Sequence, residues 1–174
     1  MTGQRGFTLI ELLLALATLS LVLVGVVLLQ QQGQLAFVTG TARVETQQNA
    51  RVALDLFVRE LRSARGVVAA AGCDDPTNGA SDFSFQDQNG VVLRYRRNGT
   101  GLERTDATGT AVLIGGVQVF RAWCFQASGA RTAVPASVRS VTVALTTFPE
   151  DNPSYAPAHQ VAMVESQVRI RNLP

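Results

Sequence analysis

The sequence predicts an α+β protein. One long N-terminal helix, apolar in its first half and amphipathic in its second, is expected to pack on a C-terminal antiparallel β-sheet domain. Three observations carry this expectation. Residues 12–29 hold no charge and no proline, and only Thr18, Ser20 and Gly25 depart from aliphatic residues and alanine. From Val44 onward, apolar residues recur at three- and four-residue spacing, the period of a helix face. From Phe83 the pattern shortens to alternating stretches divided by turn signals, with links too short for helical crossovers.

Composition bounds the rest. A chain of 174 residues is one domain's worth, and the part beyond the apolar run is long enough to bury a core of its own. The formal net charge of +2 is too small to argue for a polyanion partner by itself. All fifteen basic residues are arginine, which reads as compositional bias.

The chain opens on a polar head, residues 1–6, carrying Arg5, and Glu11 stands at the entrance to the apolar run. An acid at the centre of a spanning helix costs roughly 2.5–3.5 kcal/mol, so such a residue is a functional candidate. A cleaved secretory signal has an apolar stretch of about 7–15 residues and a small-residue cut site behind it. Here the stretch has 18 residues and runs on into helical sequence. A retained single-pass transmembrane helix fits better, with the short head on the cytoplasmic side. The helix is expected from about Leu9 to Ser63, a length of ~80 Å at the helical rise. Gly33 and Gly40 are its weak points, Gly66 its stop and Gly72 a second chance. Ala50, Leu54, Phe57, Leu61 and Ala64 form one stripe. Asp55 and Arg59 make an acid-to-base pair four apart, and Arg59, Arg62 and Arg65 crowd the last turns, where the helix dipole favours cations.

Residues 73–82 read as loop. Strands follow at Asp82–Gln86, Val91–Arg97, Leu102–Arg104, Ala111–Ile114, Val117–Gln126, Ser137–Phe148 and Gln160–Asn172, in an antiparallel meander. Asn98-Gly99 is the strongest hairpin signal. The expected domains are therefore 1–6, a leader; 7–29, a membrane helix; 30–66, its amphipathic continuation; and 67–174, the β-rich domain. Both cysteines, Cys73 and Cys124, lie beyond the anchor, where disulfides persist, and a bridge is favoured over two buried thiols.

The stretch Gly6-Phe7-Thr8-Leu9-Ile10-Glu11-Leu12 resembles the class III leader junction of type IV prepilins and pseudopilins. The resemblance implies that a prepilin peptidase and N-methyltransferase cuts between Gly6 and Phe7 and methylates the new amine of Phe7. It also implies that Glu11 pairs with that amine in a neighbouring subunit and sets subunit register. An ammonium is a suitable partner for a carboxylate at membrane depth. The segments Thr46–Leu56 with Glu60-Leu61-Arg62, Leu93–Arg96, Gly116–Phe120, Val138–Leu145 and Val168–Asn172 are similar to PilW-type minor pilins and J-type pseudopilins of type II secretion. Where major pilins commonly carry a proline this chain has Leu28, and where they carry a glycine it has Ser20. That favours a minor subunit, and the presence of Glu11 argues against the tip pseudopilin. The implied partners are the peptidase, other major and minor pilins, and an inner-membrane assembly platform. The implied location is the inner membrane, with the domain outside the cytoplasm, then a cell-surface pilus or a periplasmic pseudopilus.

Other residues carry weaker readings. His159, the only histidine, has no Ser, Cys or acid constellation around it and sits in a Pro-rich loop, so no catalytic residue is expected and an anchored enzyme is set aside. Asp74, Asp75 and Asp82 with Asn78 offer oxygen ligands for calcium but lack the twelve-residue loop pattern, so no metal or cofactor is expected. Arg94, Arg96, Arg97 and Arg104 make a basic hairpin. A DNA-contact reading of it stands behind the plainer one, a solvated edge that resists edge-to-edge association.

Overall fold

The computed structural model describes residues 7–149 and 161–171. Gly6, Arg5, His159 and Asn172 lie outside the described residues. A single helix, α1, spans Leu9–Arg62, and eight strands follow: β1 Gly66–Ala69, β2 Asp82–Gln86, β3 Val92–Asn98, β4 Gly101–Asp106, β5 Gly109–Ile114, β6 Val117–Phe125, β7 Ser140–Thr147 and β8 Ala162–Arg169. A short 3-10 turn at Pro135–Ser137 precedes β7. The chain divides into two units, 1–41 and 42–174.

In the first unit, the described residues 7–38 are all exposed. The run is helical because nothing in it breaks a helix, and its few hydroxyls are satisfied locally. The Thr18 hydroxyl donates to the carbonyls of Leu14 (3.2 Å) and Ala15 (3.0 Å), and that of Ser20 to Ala17 (2.8 Å). In hydrocarbon, where no water is present to do so, a spanning segment must satisfy its polar groups internally, and this helix does. It is long and apolar enough to cross a membrane.

In the second unit, α1 buries Thr46, Ala50, Ala53, Leu54, Phe57 and Leu61, the stripe anticipated from spacing with Ala53 and Thr46 added, while Ala64 is buried just beyond the helix end. Phe57 is the hub. Its ring lies 4.9 Å from that of Tyr95, 5.8 Å from Phe120, 5.9 Å from Phe85 and 6.0 Å from Phe83, mostly edge-on. Such tilted and edge-to-face pairs add roughly 0.5–1.5 kcal/mol each beyond area burial. Phe83, Phe85 and Tyr95 come from β2 and β3 and Phe120 from β6, so one helical side chain joins strands of both sheets. The Thr147 hydroxyl adds a bond to the Thr46 carbonyl, 3.3 Å.

The strands form two antiparallel meanders. One sheet has the order β1-β2-β3-β4-β5, the other β6-β7-β8. The division falls at Gly115-Gly116, where Gly116 takes φ +64°, and β6 then pairs with β7. β7 alternates as its sequence suggests, with Val141, Val143 and Leu145 buried and Ala144 buried as well.

Beyond the second sheet and the added strand β1, a helix end and a hairpin turn differ from the sequence reading. The helix ends at Arg62, ahead of Gly66, because Ser63 and Ala64 tighten onto the carbonyls of Glu60 (3.2 Å) and Leu61 (3.1 Å). Gly66 instead opens β1, paired with Gln86. The hairpin between β3 and β4 also sits one residue along from the Asn-Gly pattern. Asn98 pairs with Gly101, leaving Gly99 at φ +57° in the first turn position, the place where a type II′ turn requires glycine.

Candidate functional site

The amino-terminal site is built on a helix start. Phe7 and Thr8 precede α1, and the Thr8 carbonyl accepts from the backbone N–H of Glu11 (3.1 Å) and of Leu12 (3.2 Å). The Thr8 hydroxyl oxygen also accepts from the Glu11 N–H at 3.3 Å. Thr8 is therefore the N-cap, and Thr8-Leu9-Ile10-Glu11 has the spacing of a capping box, with its acid in the first turn. The positive end of the helix dipole stabilises a carboxylate there by typically 0.3–1 kcal/mol. Sequence reasoning singled out Glu11 and passed over Thr8, although the Thr-x-x-Glu spacing was the available signal. Phe7 is 78% exposed and Glu11 is exposed, so both are open to an outside partner.

Cys73 and Cys124 form a disulfide with Cα atoms 5.2 Å apart, both fully buried. The bridge is part of a longer seam. The Cys124 N–H donates to the Cys73 carbonyl (3.1 Å), and Ala80 and Ala122 exchange bonds of 2.8 and 2.9 Å. Arg121 donates to the Thr77 carbonyl (3.0 Å). The loop 70–81 is thus fastened along β6. Gly79 sits in this seam at φ +61°, where a Cβ would come within 3.0 Å of the Trp123 ring and the Ala122 carbonyl.

Two of the three candidate carboxylates, Asp75 and Asp82, are engaged by this architecture, and Asp74 is exposed. Asp75 accepts from the N–H groups of Thr77 (2.8 Å) and Asn78 (3.1 Å) and from the Asn78 side chain (3.0 Å). Those backbone bonds hold its carboxyl below the usual range. Asp82 pairs with Arg94. Among the described residues, no group of three or more His, Cys, Asp or Glu side chains is placed to hold a metal ion.

The four hairpin arginines do not form one patch. Asp82 and Glu103 both stand directly opposite Arg96 in register, so Arg94 and Arg96 share their face. There Arg94 grips Asp82 through two nitrogens, and Arg96 reaches Glu103 at 2.9 Å. Arg97 donates to the Gln118 carbonyl. Arg104 lies on the other face of the sheet, opposite Tyr95. Its Nε is 3.2 Å from both oxygens of Glu60 on α1, and a terminal nitrogen is 3.1 Å from Oε1. Its remaining nitrogen pairs with Asp106.

The Glu60 cluster is what sequence reasoning missed. The Tyr95 hydroxyl donates to Glu60 at 2.5 Å. Burial, then that bond to a carboxylate, pushes the Tyr95 pKa far up. The bond to Glu60 also raises Arg104, while Thr108 and then Arg104 hold Asp106 low. Glu60 thus joins the helix to a cross-strand pair separated from it by 35 and 44 residues. No local pattern encodes partners so distant.

Comparison with known families bears on the amino-terminal site. The family model described as the prokaryotic N-terminal methylation motif matches residues 1–28. That match supports a type IV pilin-like protein. A motif-bearing apolar helix continuing into a domain of antiparallel sheets is a type IV pilin-like, α+β architecture. The leader implies processing by a prepilin peptidase and partners in pilus assembly generally. No curated protein matches the chain.

Proposed function

We propose that the chain is a minor pilin, a structural subunit that initiates or caps assembly of a type IV pilus. Prepilin peptidase removes residues 1–6 by cutting between Gly6 and Phe7 and methylates the Phe7 amine. Glu11 then meets the amine of a neighbouring subunit as the chain is drawn from the inner membrane. The single observation that carries this reading is the matched leader junction running without a break into a membrane-length apolar helix. The oxidised Cys73–Cys124 pair supports a domain outside the cytoplasm. The reading assigns the chain no catalysis and no cofactor.

A pseudopilin of type II secretion would use the same leader and helix, and its gene neighbourhood separates the two: pilins and a retraction ATPase on one side, a secretin with secretion pseudopilins on the other. The DNA-uptake reading draws less support. Arg94, Arg96, Arg97 and Arg104 are each engaged by an acid or a carbonyl of the same chain.

The test is co-expression with a prepilin peptidase and mass measurement of the product. The expected result is a chain shorter by residues 1–6 and methylated on Phe7, with Gly6→Val blocking the change. A full-length mass for the unsubstituted protein overturns the reading.

A further inference from the structure

We propose that a groove between the end of α1 and Arg171, in the segment after β8, is the docking site for an acidic segment of a neighbouring subunit. The groove has a volume of about 520 Å³ and is lined by Asp55, Val58, Arg59, Arg62, Ser63 and Arg171. Three guanidinium groups therefore converge on one concavity from two elements far apart in sequence.

Their pairing sets them apart from six other arginines of the domain. Arg94, Arg96 and Arg104 each hold a carboxylate, and Arg97, Arg121 and Arg139 each donate to carbonyls. Arg59, Arg62 and Arg171 are exposed and carry no ion pair with the described residues. The helix C-terminus contributes about half a negative charge and so favours a cation there. Three guanidiniums outweigh that half charge together with Asp55, and the surplus is positive. A carboxylate is the matching partner, because the planar guanidinium fork accommodates it bidentately.

The shape points to a peptide. Val58 adds apolar surface between the charges, which suits the aliphatic stem of a glutamate or a neighbouring apolar side chain. Asp55 would repel a continuous phosphate backbone. The hairpin arginines that would have extended a basic track are already engaged within the chain. The site deepens the filament reading, on which it rests only for the source of the segment.

The experiment uses the full chain in a neutral detergent, co-expressed with prepilin peptidase, and the peptide hexaglutamate as probe. Binding is followed by titration calorimetry at low and at physiological salt. Hexaglutamate is expected to bind, to weaken as salt screens the charges, and to lose about tenfold or more in affinity in Arg62→Glu and in Arg171→Gln. Circular dichroism confirms that each variant is folded, and Arg171→Gln, beyond the last strand, remains informative where Arg62→Glu fails to fold. Absence of binding overturns the proposal, as does equal affinity in the variants. A DNA duplex or inorganic phosphate bound as tightly with the same arginine dependence also overturns it, in favour of a general anion site. Binding that appears only after removal of residues 172–174 overturns it in favour of an intramolecular occupant. The mass of the same preparation reports leader cleavage separately. Lost binding with correct cleavage removes the groove proposal alone, and lost cleavage removes the filament source.

Discussion

Between Leu9 and Val38 every residue of α1 is exposed, whereas between Thr46 and Leu61 the same helix buries six side chains. The two lengths share a secondary structure and differ in who covers them. The second half carries one apolar stripe and finds its cover within its own chain, on two sheets. The first half is apolar all round, with Leu12 55% exposed, Leu23 55% and Leu29 70%, so no single face can satisfy it. Fully covering each such side chain is worth roughly 1.5–3 kcal/mol, and an apolar surrounding on every side, such as lipid or other apolar helices, supplies that cover. A helix built this way is stable as a fold at one end and as an assembly at the other.

The sharpest way to break the contrast is to truncate one side chain in each half. Phe57→Ala removes the hub of the aromatic cluster and is expected to destabilise the domain by about 3–5 kcal/mol. Leu23→Ala is expected to leave its melting temperature unchanged. Thermal unfolding of the full chain in detergent, followed by near-ultraviolet circular dichroism, reads both, and equal shifts would erase the distinction.

The disulfide comes next. Cys73→Ser with Cys124→Ser is expected to cost roughly 2–4 kcal/mol, since the bridge restrains the unfolded chain and fastens loop 70–81 to β6. The doubly substituted protein and the protein treated with reductant should melt at the same lowered temperature.

Glu60→Gln removes the charge shared by Tyr95 and Arg104, and a loss of about 1–3 kcal/mol is expected from a partly buried ionic hydrogen bond. The same cluster sets a pH dependence. Tyr95 has its pKa raised in the folded state, from an ordinary value of 10.0. The folded chain therefore holds this proton where the unfolded chain has released it. Stability is fully present below pH of about 10 and falls as pH climbs above that value. Melting temperatures measured across the alkaline range should decline in the unsubstituted protein, and Tyr95→Phe should flatten that decline. An unchanged slope in Tyr95→Phe would show that another group sets it.

A small effect on stability also belongs to the residue with the largest expected effect on assembly. Glu11→Ala lies in the first, uncovered half, and less than about 0.5 kcal/mol is expected in domain stability. Incorporation into filaments, measured by immunoblotting of sheared surface fractions, should fall strongly while leader cleavage continues.

Much of this division was legible in the residues. The stripe from Ala50 to Ala64 follows helical spacing, the run 12–29 is unbroken, and the strands after Phe83 alternate where one face is buried. Legibility failed where the cause lay far away in sequence. β1 is four residues of Gly-Val-Val-Ala without alternation, and only its pairing with β2 makes it a strand. The division into two sheets depends on which strand β6 meets, and β7 supplies that answer from the C-terminal side of a loop. Arg104 looks like its hairpin neighbours until the register places it on the other face, opposite Tyr95. Thr8, by contrast, is readable, since Thr-x-x-Glu at a helix start is a local pattern.

The Glu60 cluster has a mechanical side. Tyr95 and Arg104 face each other across β3 and β4, so one carboxylate grips two strands at once. β3 is the middle strand of its sheet, with β1 and β2 on one side and β4 and β5 on the other. Tension passed from α1 through Glu60 therefore enters this sheet at its centre, where ladders on both sides share the load, and not at an edge, where strands peel one bond at a time. A subunit hauled by its helix would carry its domain along by a grip that spreads the strain.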